Sequence, residues 1–160
     1  MSPNWVQTCD RLAHSAGTRA ARNNGWHDRR RPSPTVLLLC GYNGVGKTTY
    51  AKHWEKVLLT VRFSLDEWML RLYSDLSFDS AGYGLRVEIC EDIICGAAPQ
   101  VLLCGVDVVL DWNQWSRSRR VSWRDNALNA GFTPTLHIMD MPLETAIERA
   151  AQGVAKRSPG

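Results

Sequence analysis

The sequence predicts an α/β protein, a three-layer sandwich in which a parallel sheet carries helices on both faces. Two observations carry this. Short apolar β-type runs alternate with helix-period segments four times along the body of the chain, and the connections are long enough for parallel crossovers. The first strand candidate also leads directly into a glycine-rich turn and a helix, an order typical of a nucleotide-binding unit.

The opening strand is Thr35-Val36-Leu37-Leu38-Leu39-Cys40, an apolar run of the length and composition of a strand buried on both faces. Gly41-Tyr42-Asn43-Gly44-Val45-Gly46-Lys47-Thr48 follows and fits G-x-x-x-x-G-K-[ST], the Walker A phosphate loop, at every fixed position. A loop wrapped around a polyphosphate turns successive backbone N–H groups inward. A Cβ at Gly41, Gly44 or Gly46 would crowd the anion or forbid the required φ angles. Lys47 is positioned to reach the β- and γ-phosphates of ATP, and Thr48 to offer its hydroxyl to Mg²⁺. Thr49 and the loop residues Tyr42, Asn43 and Val45 complete the predicted nucleotide cradle. The helix that starts here brings free N–H groups and a positive dipole end. Its apolar positions are Ala51, Trp54 and Leu58, with Lys52, His53, Glu55 and Lys56 between them.

Val61-Arg62-Phe63-Ser64-Leu65 reads as a second strand that delivers Asp66 to the carboxyl end of the sheet, where open α/β sheets hold their ligands. An aspartate at a strand-to-helix junction serves either as a helix N-cap or as a general base, and both roles suit Asp66. The Ser, Asp and Gly content of residues 74–84 predicts a loop. Leu85, Ile89, Ile93 and Ala97 then repeat at helical spacing, and a kink or break is expected at Pro99, which cannot donate to the carbonyl of Cys95.

Val106 to Leu110 forms the third strand and ends at Asp111, a candidate Mg²⁺ contact or turn residue. Ser116 or Ser118 caps a helix that runs to Ala130, with Gly131 as its stop. Arg117, Arg119, Arg120 and Arg124 make that helix basic, and Arg120 is the candidate phosphate contact among them. Trp112 and Trp115 suit either ring stacking or packing. Thr135 to Met139 is the fourth strand, with His137 as a core histidine, and Pro142 opens a last helix through Glu144, Ile147 and Arg149.

Charge and composition bound the remaining classes. The chain has 160 residues and a formal net charge of +3. Its first 34 residues hold six arginines against Asp10 and Asp28, a net of +4, which leaves −1 for the rest. Residues 1–34 are accordingly expected to form a mobile basic leader, and 35–160 a single domain. A solvated tail is preferred over a nucleic-acid contact. No apolar run approaches the roughly 18 residues that cross a bilayer, so a soluble, cytoplasmic protein is expected. Five cysteines without a C-x-x-C pair do not compose a zinc or disulfide framework.

Taken together, GYNGVGKTT, FSLDEW, VVLDWNQWSRSRR and LHIMDMPLETAIER resemble the P-loop kinase-like ATPases labelled AAA_33, related to zeta toxins, chloramphenicol phosphotransferase and the kinase half of polynucleotide kinases. The resemblance spans about residues 35–150 and implies a kinase-like strand order and transfer of the γ-phosphoryl of ATP to a hydroxyl. It assigns the substrate proton to Asp66, phosphate and Mg²⁺ binding to Lys47 and Thr48 with Asp111, and a nucleotide contact to Arg149. It also implies that the strand ending near Asp66 lies beside the one ending at Asp111. The chain departs from the family in two places. The arginine usual one turn after Glu148-Arg149 is replaced by Gly153, so the C-terminal lid is expected to be shortened or missing. Met69 stands where polynucleotide kinases place an arginine for a substrate phosphate, which disfavours a 5′-phosphorylated nucleic acid and favours a small hydroxyl-bearing molecule. A nucleotide-binding ATPase with little transfer activity is the alternative. An ABC-type reading fails for want of an L-S-G-G-Q stretch and of a glutamate after Asp111, where Trp112 stands.

Overall fold

The computed structural model describes Trp5, residues 33–112 and residues 114–155, with side chains described to residue 152. Four strands, β1 (Thr35–Cys40), β2 (Val61–Ser64), β3 (Val108–Asp111) and β4 (Thr133–Ile138), form one parallel sheet in the order β2-β3-β1-β4. Helices described around it are α1 (Lys47–Val57), α2 (Leu65–Leu72), α3 (Tyr83–Leu103), α4 (Arg117–Asn129) and α5 (Leu143–Ala155).

The apolar run of β1 is buried because both of its faces are covered. Leu37 and Leu39 meet Ala51, Tyr50 and Trp54 of α1, while Val36 and Leu38 join the larger cluster built with α2, α3 and α4. Period-2 alternation thus feeds two cores from a strand that is continuously apolar. β1 is held at its start by Asp107, whose Oδ1 accepts from Thr35 N at 2.7 Å while its carbonyl accepts from Val61 N at 2.9 Å. That one residue sets the amino ends of three strands level, so their carboxyl ends come out together. β4 is an edge strand with alternating exposure. His137 is half-buried there, and its Nδ1 shares a 2.8 Å hydrogen bond with Tyr50 Oη, so it is satisfied on the α1 face rather than sealed in the core.

Several boundaries shift from the sequence-based expectation. The second strand stops at Ser64, and Leu65 already belongs to α2. The third begins at Val108 and includes Asp111, and the fourth begins at Thr133. Leu58 lies beyond α1 as its C-cap and is exposed, so it is not part of the apolar stripe. Pro99 neither breaks nor ends its helix, since α3 runs through it from Tyr83 to Leu103. The loss of one backbone hydrogen bond is outweighed because Cys95, Ala98, Pro99 and Leu102 are all buried. Ser116 is the N-cap of α4, its Oγ accepting from Arg119 N at 3.4 Å, and Gly131 takes the positive φ of 83° that a stop glycine permits.

Most of the basic leader lies outside the described residues, but Trp5 is fully buried, 0 % exposed, and belongs to the larger core. Its indole meets Trp123 edge-on at 5.7 Å and Phe132 at 6.3 Å. Trp112, 2 % exposed, continues the stack at 5.4 Å from Trp123, which settles a packing role for it. The core therefore draws on a residue thirty positions before β1.

Two outcomes are expected. Trp5→Ala should lower the free energy of unfolding by roughly 3–5 kcal/mol, as for other buried large-to-small changes, and an unchanged urea midpoint would refute its place in the core. Burial pushes the Cys95 thiol up to about 12, so at pH 8 it is neutral and shielded. Exposed Cys104 should react with a thiol reagent in the native protein, and Cys95 only after denaturation, which peptide mapping of the labelled chain reads directly.

Candidate functional site

The site lies at the carboxyl ends of β1, β2 and β3, where the register Ser64↔Asp111 sets the end of β2 beside the end of β3, and β3 neighbours β1. The loop from Gly41 to Thr48 links β1 to α1. Its three glycines are needed for three different reasons. At Gly41, with φ 153°, a Cβ would stand 2.6 Å from the carbonyl oxygen of Met139. At Gly44, with φ 88°, it would stand 2.1 Å from the carbonyl oxygen of Ala146, because α5 passes directly over the loop. Gly46, with φ 95°, has open space around its Cβ position and is the N-cap of α1. At Gly41 and Gly44 the crowding expected from the anion thus comes from the protein's own backbone, and the positive φ angles fall where the motif requires glycine.

Lys47 is buried, and its Nζ donates to the carbonyls of Gly41 at 2.8 Å and Tyr42 at 2.9 Å. Burial lowers its pKa, while the negative charges of Asp66 and Asp111 pull the other way. Both sequence-predicted acids therefore act on the lysine of the loop. Thr48 Oγ1 donates to Asp111 Oδ1 at 3.3 Å, which puts a hydroxyl and a carboxylate oxygen side by side. These are hard oxygen donors of the kind that suit Mg²⁺. Asp111 is 2 % exposed, and burial pushes its carboxyl above the usual carboxylate range against the opposing pull of Arg62.

Asp66 sits in the first turn of α2, exposed to solvent. The N-cap position belongs to Ser64, two residues earlier, whose side chain makes no capping hydrogen bond. Tyr83, at the start of α3, has its phenol pKa raised by burial and then by the charge of Asp66. Trp68 packs beside Phe63 at 6.0 Å, and Met69 is buried in the core.

The remaining candidates are dispersed. Arg120 is half-buried and donates from NH1 to the carbonyls of Gln114 at 2.7 Å and Trp115 at 2.6 Å, so it braces the segment after β3. Arg149 is exposed on α5. Trp115, unlike Trp112, is 60 % exposed and meets Tyr42 of the loop edge-on at 6.1 Å. With Cys40, Gly41, Ile138, Met139 and Asp140 these two rings line a cleft of about 300 Å³ on the β4 side of the loop.

One residue escaped the sequence reading altogether. Arg62 of β2 is 9 % exposed at its side chain and donates to Asp111 Oδ2 at 2.8 Å, Glu67 Oε2 at 2.6 Å and Glu55 Oε2 at 3.3 Å. Burial pulls its pKa down, but the hydrogen bonds to Glu67 and Asp111 prevail and hold it raised. Glu67 in turn is held below the usual range by Arg62 first and Lys52 second. The signal available in the sequence was an arginine two residues before the end of a strand, on the face opposite apolar Phe63 and one strand away from Asp111.

Gly44→Ala should abolish nucleotide binding and lower the melting temperature by several degrees, since the methyl meets backbone at 2.1 Å and a positive φ at once. Gly46→Ala, with open space around it, meets only the φ penalty and should unfold at a higher temperature than Gly44→Ala in a calorimetric scan.

No curated protein matches the chain by sequence. Among solved structures it resembles the Mycobacterium tuberculosis APS kinase CysC in complex with AMPPNP and APS, at 21 % identity over 80 % of this chain and 75 % of that one, with a TM-score of 0.59. It also resembles a chain of the Pnkp1/Rnl/Hen1 RNA repair complex, at 20 % identity and a TM-score of 0.64, covering 83 % of this chain and 42 % of that one, so it spans less than half of that neighbour. A Chloroflexus aurantiacus protein provisionally assigned as a kinase matches at 18 % identity with a TM-score of 0.64, over 78 % of this chain and 68 % of that one. Likeness at this level of identity shows a shared P-loop kinase-like fold. The model of the AAA domain family AAA_33 matches residues 36–159 of the 160, and the chain belongs to that family.

Proposed function

We propose that the protein binds Mg²⁺-ATP at Gly41–Thr49 and transfers its γ-phosphoryl to a hydroxyl of a small molecule. The observation that supports this reading is that two carboxylates, Asp111 at the end of β3 and Asp66 in the helix turn that follows the adjacent β2, both bear on the loop lysine Lys47, and that Asp111 accepts from Thr48. One acid is buried beside the metal-type hydroxyl and the other is exposed toward solvent, a division suited to two roles.

In this scheme the loop amides and the N-terminus of α1 hold the polyphosphate, and Lys47 leaves the carbonyls of Gly41 and Tyr42 for the β- and γ-oxygens. Thr48 and Asp111 would hold Mg²⁺, which when bound neutralises charge on the phosphate oxygens. Asp66 accepts the proton of the acceptor hydroxyl as its oxygen bonds to the γ-phosphorus. The bond from that phosphorus to the bridging oxygen breaks, and ADP departs with the bond's electrons. Tyr83 and Trp68, on neighbouring elements, form the proposed acceptor surroundings. The buried Met69 offers no cation to a substrate phosphate, which supports a small hydroxyl-bearing acceptor over a 5′-phosphorylated strand. Among the described residues no helix is long and apolar enough to cross a membrane. A nucleotide-binding role with little transfer is the second reading, favoured by Gly153, which stands one turn after Glu148-Arg149 where a lid arginine would be expected.

Three variants separate the roles. Lys47→Ala should weaken ATP binding at least tenfold with the fold intact. Asp66→Asn should keep ATP affinity and lose roughly 10²–10⁴-fold in transfer to acceptors in a metabolite extract, the usual loss with a general base. Asp111→Asn should weaken binding only when Mg²⁺ is present. Unchanged γ-³²P transfer in Asp66→Asn would overturn the mechanism.

A further inference from the structure

Asp111 presents its two oxygens to two different partners, Oδ1 to Thr48 at 3.3 Å and Oδ2 to Arg62 at 2.8 Å. A carboxylate on a strand end rotates about its terminal torsion unless something holds it, and Arg62 is the cation that does so here. The same guanidinium reaches Glu67, the residue directly after Asp66 in the first turn of α2, and Glu55 of α1. Lys52 of α1 closes the set through Glu67 at 2.9 Å. Arg62 therefore spans three elements, and its planar fork fits three carboxylates in a way a single ammonium does not.

We infer that Arg62 is a positioning residue of the transfer site, fixing the Asp111 oxygen that faces Thr48 and tying it through Glu67 to the helix turn that carries Asp66. The inference rests on the reading of Thr48 and Asp111 as the Mg²⁺ pair. Arg62 touches neither phosphate nor acceptor in this scheme; it acts by orienting Asp111 and by holding α2 in register with β3. A carboxylate freed from Arg62 would lose the orientation that Mg²⁺ requires, while the loop amides, which bear on the nucleotide, would be untouched. Partners that orient a metal ligand in this manner typically matter by about 10–100-fold in metal affinity.

The test uses the whole chain and compares ATP affinity, by calorimetry, in EDTA and in excess MgCl₂. Wild type should bind more tightly with Mg²⁺. Arg62→Met should keep its affinity in EDTA within about threefold and lose about tenfold or more of the Mg²⁺ gain. Arg62→Lys, which restores the charge without the fork, should fall between the two. If Arg62→Met loses affinity equally in EDTA and in MgCl₂, or keeps the full Mg²⁺ gain, the positioning role is overturned. Should Arg62→Met not fold, Arg62→Lys decides, and an undiminished Mg²⁺ gain there is equally fatal. A wild type that binds ATP with no Mg²⁺ gain refutes the metal pair itself, and the inference falls with it; a wild type with the gain and an Arg62→Met protein that keeps it refutes the inference alone.

Discussion

The arrangement of this protein depends on burying one carboxylate. Asp111 ends β3, the strand between β1 and β2, and is 2 % exposed. An ionised carboxylate in such a place is strongly disfavoured unless it is paired and hydrogen-bonded. Its neighbours supply both conditions, a guanidinium from β2 and a hydroxyl from α1. That requirement explains why an arginine occupies a strand otherwise bound for the core, and why Glu67 and Glu55 stand around it. Three carboxylates meet the guanidinium of Arg62 and the ammonium of Lys52, so the cluster keeps a formal negative charge beside the loop.

The phosphate loop is constrained from outside as well as from within. Met139, just past β4, and Ala146 of α5 approach Gly41 and Gly44 so closely that no side chain fits. The last strand and last helix therefore form the wall against which the loop takes its shape. Only Gly46 opens onto free space, at the N-terminus of α1 where N–H groups lack intrahelical partners. The chain after residue 133 thereby shapes the phosphate loop through its backbone.

The layers and the loop were legible because they rest on local pattern: a six-residue apolar run, a glycine spacing and a helix stripe. β1 was bounded to the residue from these, since burial on both faces leaves no ambiguity of composition. The errors arose where tertiary packing overrides local preference. Pro99 sits within α3 because its helix neighbours Cys95, Ala98 and Leu102 are buried, and His137 is half-exposed because, among the described residues, no strand lies on the far side of β4. The candidate site was readable in Lys47 and Thr48 through motif spacing, and in Asp66 and Asp111 through their place just after predicted strands. Arg62 was not, because nothing in β2 alone says that its long side chain faces another strand's acid. Trp5 escaped for a related reason, its partners Trp123 and Phe132 lying more than a hundred residues away.

The two acids of the site differ by environment although both are aspartates at strand ends. Asp111 is enclosed, with both of its oxygens hydrogen-bonded, one to Thr48 and one to Arg62. Asp66 stands one residue into a helix and is exposed to solvent. The one-residue difference between ending a strand and beginning a helix produces this division. β2 stops at Ser64, opposite Asp111, and the chain turns at once into α2, so Asp66 belongs to a helix turn while Arg62, two residues back from Ser64, stays in the sheet. From these two settings, one in a helix turn and one at a strand end, both acids bear on the charge of the same lysine, Lys47.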